Sequence, residues 1–449
     1  MSARELLPLP RNSAYDPPMA GEGRLDPLGF AVIADRIADS YARPVRARMR
    51  RIRFLTSMAI GGTFIWDLNS IEPAVTGDTP DIAFERVVIE ALARGGQSGV
   101  HLDTGIPGIT KAQAALLSKS RLDARGYLKS PRVFGFSGVY RPLAQATLLT
   151  DKWGGVLEAG RELIAGLETD SGLSGLATGK SGTDGGDFLA WVAQESANSL
   201  RTGRNCFSPK HPYVSLLASI AAPQGAGAAE RAALHGVLAH PQMSLQPEDD
   251  GVYLELLQLM NQEMFIDSSE WDVVRALLDE GSPALSARML MLVEFEEFAR
   301  SLLWAFDTFR FISSQSVGGF PDRQILQANT VLRNVAGSVS GLFNSTLAEM
   351  SQAVDQGVDP SLPVAFAERF SAFGEITSVD QLIEVLMAHH FAVQKNKAPD
   401  GKRAWLELGG AGYAIRPMFT VTNEPELQDK FIHPYRLLTL VDFLVDIHG

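Results

Sequence analysis

Apolar residues recur three and four positions apart along most of the chain, the spacing that gives a helix one buried face. In "DPLGFAVIADRIADSYARPVRARMRRIRF" the set Phe30, Ile33, Ala34, Ile37 and Tyr41 follows an Asp-Pro start and predicts a helix. Pro44 interrupts that pattern, and Val45, Met49, Ile52 and Leu55 predict a second helix. Thr79 to Asp81 can cap the next one, "IAFERVVIEALARGG", which closes on a glycine pair. From Phe188 to about Val354 the same period persists through "YLELLQLMNQEMF", "EWDVVRALLDE" and the long "LSARMLMLVEFEEFARSLLWAFDTFRFISS". In the tail "SVDQLIEVLMAHHFAVQKNK" reads as a helix. "KRAWLELGGAGYAIRPMF" then reads as strand, glycine turn and strand, and "IHPYRLLTLVDFLVDIHG" as a closing buried helix.

These elements predict a mainly α (α+β) protein. Its parts are an extended Pro-rich arm over 1–24, a helical and winged-helix-like region over 25–168, a Gly/Ser-rich loop over 169–187, a helical domain over 188–355 and a small α+β unit over 356–449. No unit repeats at a fixed period, which argues against a solenoid. The winged-helix expectation comes from order. "FERVVIEALARGG", "KAQAALLSKSR" and "GVYRPLAQATLL" supply three helices, "LLTDKWGGVL" a two-stranded wing, and "EAGRELIAGL" a helix returning to the core.

Charge changes what this region is expected to do. The net charge is −12, so a polyanionic partner requires a local patch of opposite sign. Residues 110–161 hold nine basic side chains against three acidic ones. Arg43, Arg46, Arg48, Arg50, Arg51 and Arg53 crowd a second run that contains no acid. Clustered Lys and Arg displace counterions from nucleic-acid backbones, the main source of sequence-independent affinity. The expected DNA-binding set is Arg46, Arg48, Arg50, Arg51, Arg53, Lys119, Arg121, Arg125, Lys129, Arg132, Arg141, Lys152 and Trp153, with Lys152 and Trp153 at the wing tip. Lys395, Lys397, Lys402, Arg403, Arg416 and Arg436, interleaved with Trp405 and Tyr435, form a second basic-aromatic candidate. The bland alternative is a surface helix neutralised by acidic neighbours, with the aromatic residues in a hairpin core.

Catalytic chemistry finds little support. "GLATGKSG" has three residues between Gly175 and Gly179, where a phosphate loop needs four. No apolar strand leads in, and "GTDGGD" is a poor helix start. Glu294, Glu296 and Glu297 lack the following His of a di-metal bundle and read as a solvated acidic face. His389, His390 and His433 read as ordinary surface or core residues. Cys206, the single cysteine, excludes an intrachain disulfide, and His211 five residues on does not define a thiol nucleophile. Asp400 and Lys402 echo the end of a metal-dependent nuclease motif but sit at a Pro-Gly turn. No catalytic residues, metal or cofactor are expected. The start shows no secretory h-region and no stretch suggests a membrane span, so the expected compartment is a bacterial cytoplasm.

Three stretches, "DPLGF…RRIRFLTSMAIG", "YLKSPRVFGFSGVYRPLAQATLL" and "KRAWLE…IRPMF…HPYRLLTLVDFL", together resemble uncharacterised bacterial proteins of multi-gene anti-phage defence loci. The resemblance implies a subunit of an antiviral defence complex and carries no catalytic residue set. The expectation is a non-catalytic subunit that engages DNA and other protein subunits of the same complex, without membrane contact. A pure protein scaffold and a metal-dependent nuclease are the alternatives.

Overall fold

The computed structural model describes residues 26–97, 99, 105–240, 250–261, 265, 267–397, 401–409 and 412–448; the expected arm at 1–24 lies outside them. The fold is mainly α, with 64% helix against 3% strand. Two compact units are present. The first comprises the described residues of Met1–Ile37 and Ser282–Pro434, the second those of Ala38–Gly281 and Tyr435–Gly449.

In the first unit the helix Pro283–Gln315 packs along Thr330–Val354. Ser282 caps the former by accepting from the Leu285 N–H, and Asn329 caps the latter through Leu332. Phe30, Phe295, Phe298, Phe343, Phe366, Phe370 and Phe373 meet around these helices, mostly edge to face. Each such ring, fully buried, contributes about 1.5–3 kcal/mol from its apolar surface. Asp26 starts the helix Ala31–Ala42 as the Asp-Pro signal suggests, its carboxylate accepting from the Phe30 and Ala31 N–H groups at 2.8 and 3.0 Å. The tail hairpin pairs Leu406–Gly409 with Gly412–Ile415, Leu406 opposite Ile415. Trp405 is core, stacked on Phe419 at 4.9 Å.

In the second unit the helix Pro80–Gln97 is enclosed by Asp184–Thr202, Pro212–Ala221 and Ile109–Leu117. Its burial extends to Glu85, Arg86 and Glu90, and each of these charges is hydrogen-bonded, as burial demands. The closing helix Leu437–His448 packs on Ala228–Leu238, Asp250–Met260 and Glu270–Glu280.

The structure departs from several sequence expectations. Residues 43–53 form successive turns rather than a helix, and the helix begins only at Phe54. Side chains satisfy the backbone there: the Tyr140 hydroxyl accepts from the Arg50 and Arg51 N–H groups, and Asp446 accepts from Ile52. The segment "GTDGGD" does begin a helix, because the Thr183 hydroxyl caps it through Gly186 and Asp184 and Asp187 occupy its first turn. The Gly/Ser-rich stretch lies inside the second unit and is pinned by Glu168, whose carboxylate accepts from Gly175 and Ala177. Between residues 140 and 160 a single bridge, Thr150 to Val156, stands where two wing strands were expected. Among the described residues no helix is long and apolar enough to cross a membrane.

Candidate nucleic-acid interface

Tyr140 organises the region where the two basic N-terminal segments meet. Its ring packs against Phe54 and Phe443, and its hydroxyl holds the turn at Arg50 and Arg51 at 2.8 and 2.9 Å. Burial pushes its phenol well above the ordinary value, so it remains a neutral hydroxyl. The turn so fixed carries Arg48 outward. The Arg48 guanidinium lies 5.0 Å over the Phe134 ring and donates to the Val133 carbonyl at 3.3 Å. Arg132, exposed, immediately precedes Val133, and exposed Lys129 lies three residues before Arg132. Val133 and Phe134 are themselves 47% and 45% exposed. Arg50 adds a loose contact, 3.9 Å from Asp442.

Other arginines of the expected set turn inward. Arg53 is buried. Its guanidinium grips Glu230 in two bonds of 2.9 and 2.8 Å and donates to the Ala222 carbonyl. Arg51 pairs with Asp446 at 2.5 Å; burial raises that carboxyl to about 6, with Arg51 opposing the rise. Arg121 is held by the buried Glu90 at 3.0 Å and by the Phe207 carbonyl. Arg46 lies 3.6 Å from Asp39. Arg51, Arg53 and Arg121 thereby tie separate stretches of the second unit together, while Arg46 stays part-exposed. A helix pattern cannot reveal this, because the partners of those three lie 31 to 395 residues away in sequence. Arg141 is half-buried at the start of the short helix Arg141–Ala146. Lys119 and Arg125 are exposed.

Lys152 and Trp153 belong to a different place. They sit on the turn Asp151–Gly155, tied by the Val156 N–H to the Gly62 carbonyl at the far end of the helix Phe54–Gly62. Nine helical residues span about 13 Å, which separates them from the Arg48 turn at the helix start.

The second basic surface divides between the two units. Lys395, Lys402 and Arg403 border a cleft of about 460 Å³ with Phe391 and Ala404. Lys397 is half-buried and donates to the Asp26 carbonyl at 2.9 Å. Arg416 is buried and donates to the Ala404 carbonyl. Arg436 lies in the other unit, buried against Asp39 at 2.5 Å.

Asp400 lies outside the described residues. Among the described residues no group of three His, Cys, Asp or Glu side chains could hold a metal. The Cys206 thiol is exposed and lies 3.4 Å from the Thr202 hydroxyl, while His211 stacks on Trp191 at 5.0 Å. Glu296, expected on a solvated face, is buried instead and accepts from the Ile432 N–H and from His433. Periodicity overlooked Val133, Phe134 and Trp66 as surface residues; an aromatic next to a Ser-Pro-Arg turn was the available signal. No family model matches the chain, and neither a curated protein nor a solved structure matches it.

Proposed function

We propose that the protein is a non-catalytic subunit that engages DNA and partner proteins within a bacterial multi-protein assembly of the defence type. One observation supports the proposal: Arg48 from the first basic run lies across Phe134 and bonds to Val133, in the segment of the second run that carries the exposed Arg132. Two basic segments 85 residues apart are thereby in contact, in a chain whose net charge is −12. Arg48, Arg50, Lys129 and Arg132 would hold phosphates. Arg53, Arg51 and Arg121 drop out of that role because carboxylates already hold them. Two short helices, Pro131–Phe134 and Phe136–Val139, intervene between Ile109–Leu117 and Arg141–Ala146, and one bridge, Thr150–Val156, stands in place of a wing. In this proposal the 129–134 segment, rather than a wing, meets the backbone.

The test is fluorescence anisotropy of a labelled duplex with the full chain across a salt series. The Arg48→Glu, Arg132→Glu double variant should weaken every sequence alike by about tenfold or more and flatten the salt slope by about two. Unchanged affinity and slope would remove the surface from consideration. A scaffold without DNA contact is favoured by the exposure of Leu117, Val133 and Phe134. Its signature is assembly insensitive to salt and no retention of DNA at all.

A further inference from the structure

The Asp151–Gly155 turn is built to hold an indole at the surface. One Asp151 carboxylate oxygen accepts from the Trp153 and Gly155 N–H groups at 2.7 and 2.9 Å, which closes the turn on itself. Gly154 takes a left-handed φ of 92°, a conformation that favours glycine. Gly155 is glycine for a different reason: a Cβ there would lie 2.1 Å from Nε1 of Trp66. The Trp66 indole therefore lies directly against the turn. Both tryptophans face solvent, Trp66 at 52% and Trp153 at 59% exposure, and the Lys152 ammonium sits 5.1 Å over the Trp153 ring. Each ring leaves more than half of its residue's surface exposed to water, and folding alone does not account for two large exposed aromatic side chains side by side.

Next to this edge opens a cleft of about 690 Å³. Asp67 and Val156, the sequence neighbours of Trp66 and Gly155, form its near wall. Arg161, Thr63 and Thr178 line it with polar groups, and Leu189 and Ala193 with apolar ones. Arg161 is exposed and pairs with no carboxylate among the described residues. The volume falls within the range that encloses a small organic ligand such as a nucleotide. Stacking faces, two unpaired cations beside them and a polar-apolar cleft form the combination that grips unpaired nucleotides. A duplex keeps its base faces covered and cannot use it.

We propose that the Trp66–Trp153 edge and the adjoining cleft bind unpaired nucleotides of a DNA strand. One base stacks on Trp153, with its flanking phosphate at Lys152, and the next enters the cleft, with its phosphate at Arg161. The Asp67 carboxylate accepts from an amino group on the seated base. The proposal rests on the DNA-engaging reading above and names a class of substrate for it: duplex DNA carrying an exposed single strand. This surface is separate from the Arg48–Arg132 face, so each can be tested alone.

The experiment compares a labelled oligodeoxynucleotide with its duplex, using the full chain and anisotropy. Trp153→Ala and Arg161→Ala should each weaken the single strand by about tenfold while changing duplex affinity by less than roughly twofold. Trp153→Phe, which keeps a stacking ring, should retain most of the affinity, and quenching of tryptophan fluorescence by the strand should shrink in Trp153→Ala. Single-strand binding unaffected by Trp153→Ala, or equal losses on both substrates, overturns the cleft assignment and leaves the duplex surface standing. Loss of single-strand binding in Trp153→Ala with no effect of the Arg48→Glu, Arg132→Glu pair overturns the duplex surface alone. Absence of binding to either substrate overturns both.

Discussion

The phenol of Tyr127 donates to a buried carboxylate oxygen of Glu85, whose second oxygen accepts from the Ser137 N–H at 2.7 Å. Burial of Glu85 raises its carboxyl from the usual value to about 7, against the opposing pull of those hydrogen bonds. A carboxyl raised on folding stabilises the protein most where it is protonated in both states. That contribution is lost as pH rises from about 4.5 through 7, and it amounts to about 3 kcal/mol across the window. The wild type minus Glu85→Gln difference in urea-derived stability should therefore fall between pH 5 and pH 8. A flat difference would show that Glu85 does not titrate in this range.

His390 in the first unit behaves in the opposite sense. The Trp405 N–H donates to Nε2 at 3.0 Å, so Nδ1 carries the proton and faces the Pro27 carbonyl at 2.9 Å. Only the neutral ring satisfies both partners. Burial lowers its pKa to about 4, aided by the charges of Lys397, His389 and Arg310. A base lowered on folding contributes stability above pH 6.5, and that contribution disappears as pH falls toward 4. An NMR titration should find the His390 ring neutral at pH 5; a midpoint above 6 would contradict the tautomer assigned here.

Arginines alike in sequence should differ in what they cost. Glu230 accepts from Arg53 twice and from the Thr56 hydroxyl at 2.7 Å, all buried. Glu230→Ala leaves Arg53 uncompensated and should cost about 3–5 kcal/mol. Arg48→Ala, at the surface, should cost under about 1 kcal/mol. Chemical denaturation of the two variants measures the contrast, and similar losses would refute the assignment of inner and outer arginines.

Helix positions in this protein were legible where a residue speaks for its own neighbourhood. The Asp26 start, the helices around Val273 and Leu386 and the 406–415 hairpin follow from local spacing and caps. The basic surface was legible only in part. Arg48 and Arg53 share one run, and periodicity assigns them a common fate. What separates them is Glu230, placed by a helix far along the chain, and Tyr140, whose hydroxyl replaces the helical bonds that residues 45–52 were expected to make. Long-range partners of this kind leave no trace in composition. The exposed Trp153 was legible as a surface tip, whereas no sequence pattern singled out the equally exposed Trp66.

Gly108 offers a sharper test of backbone geometry. Its φ is 77°, and an added Cβ would lie 2.3 Å from the Tyr127 ring. Gly108→Ala should cost about 1–3 kcal/mol through strain and displacement of the ring. Because that ring carries the bond to Glu85, the same variant should also alter the pH dependence described above. A stable variant with an unchanged pH profile would place Tyr127 elsewhere.

Each compact unit is assembled from an early and a late stretch of polypeptide. The first needs residues before Ile37 and residues up to Pro434, and the second needs Ala38–Gly281 together with the closing helix Leu437–His448. During synthesis at the ribosome the first core cannot close before Pro434 is made, nor the second before the helix Leu437–His448. Helices such as Ala228–Leu238 must wait, incompletely covered, for the closing helix Leu437–His448 still to be made. Vectorial folding of one half ahead of the other is therefore denied to this chain, and expressing residues 38–281 alone should yield aggregated material that co-production of 435–449 can rescue.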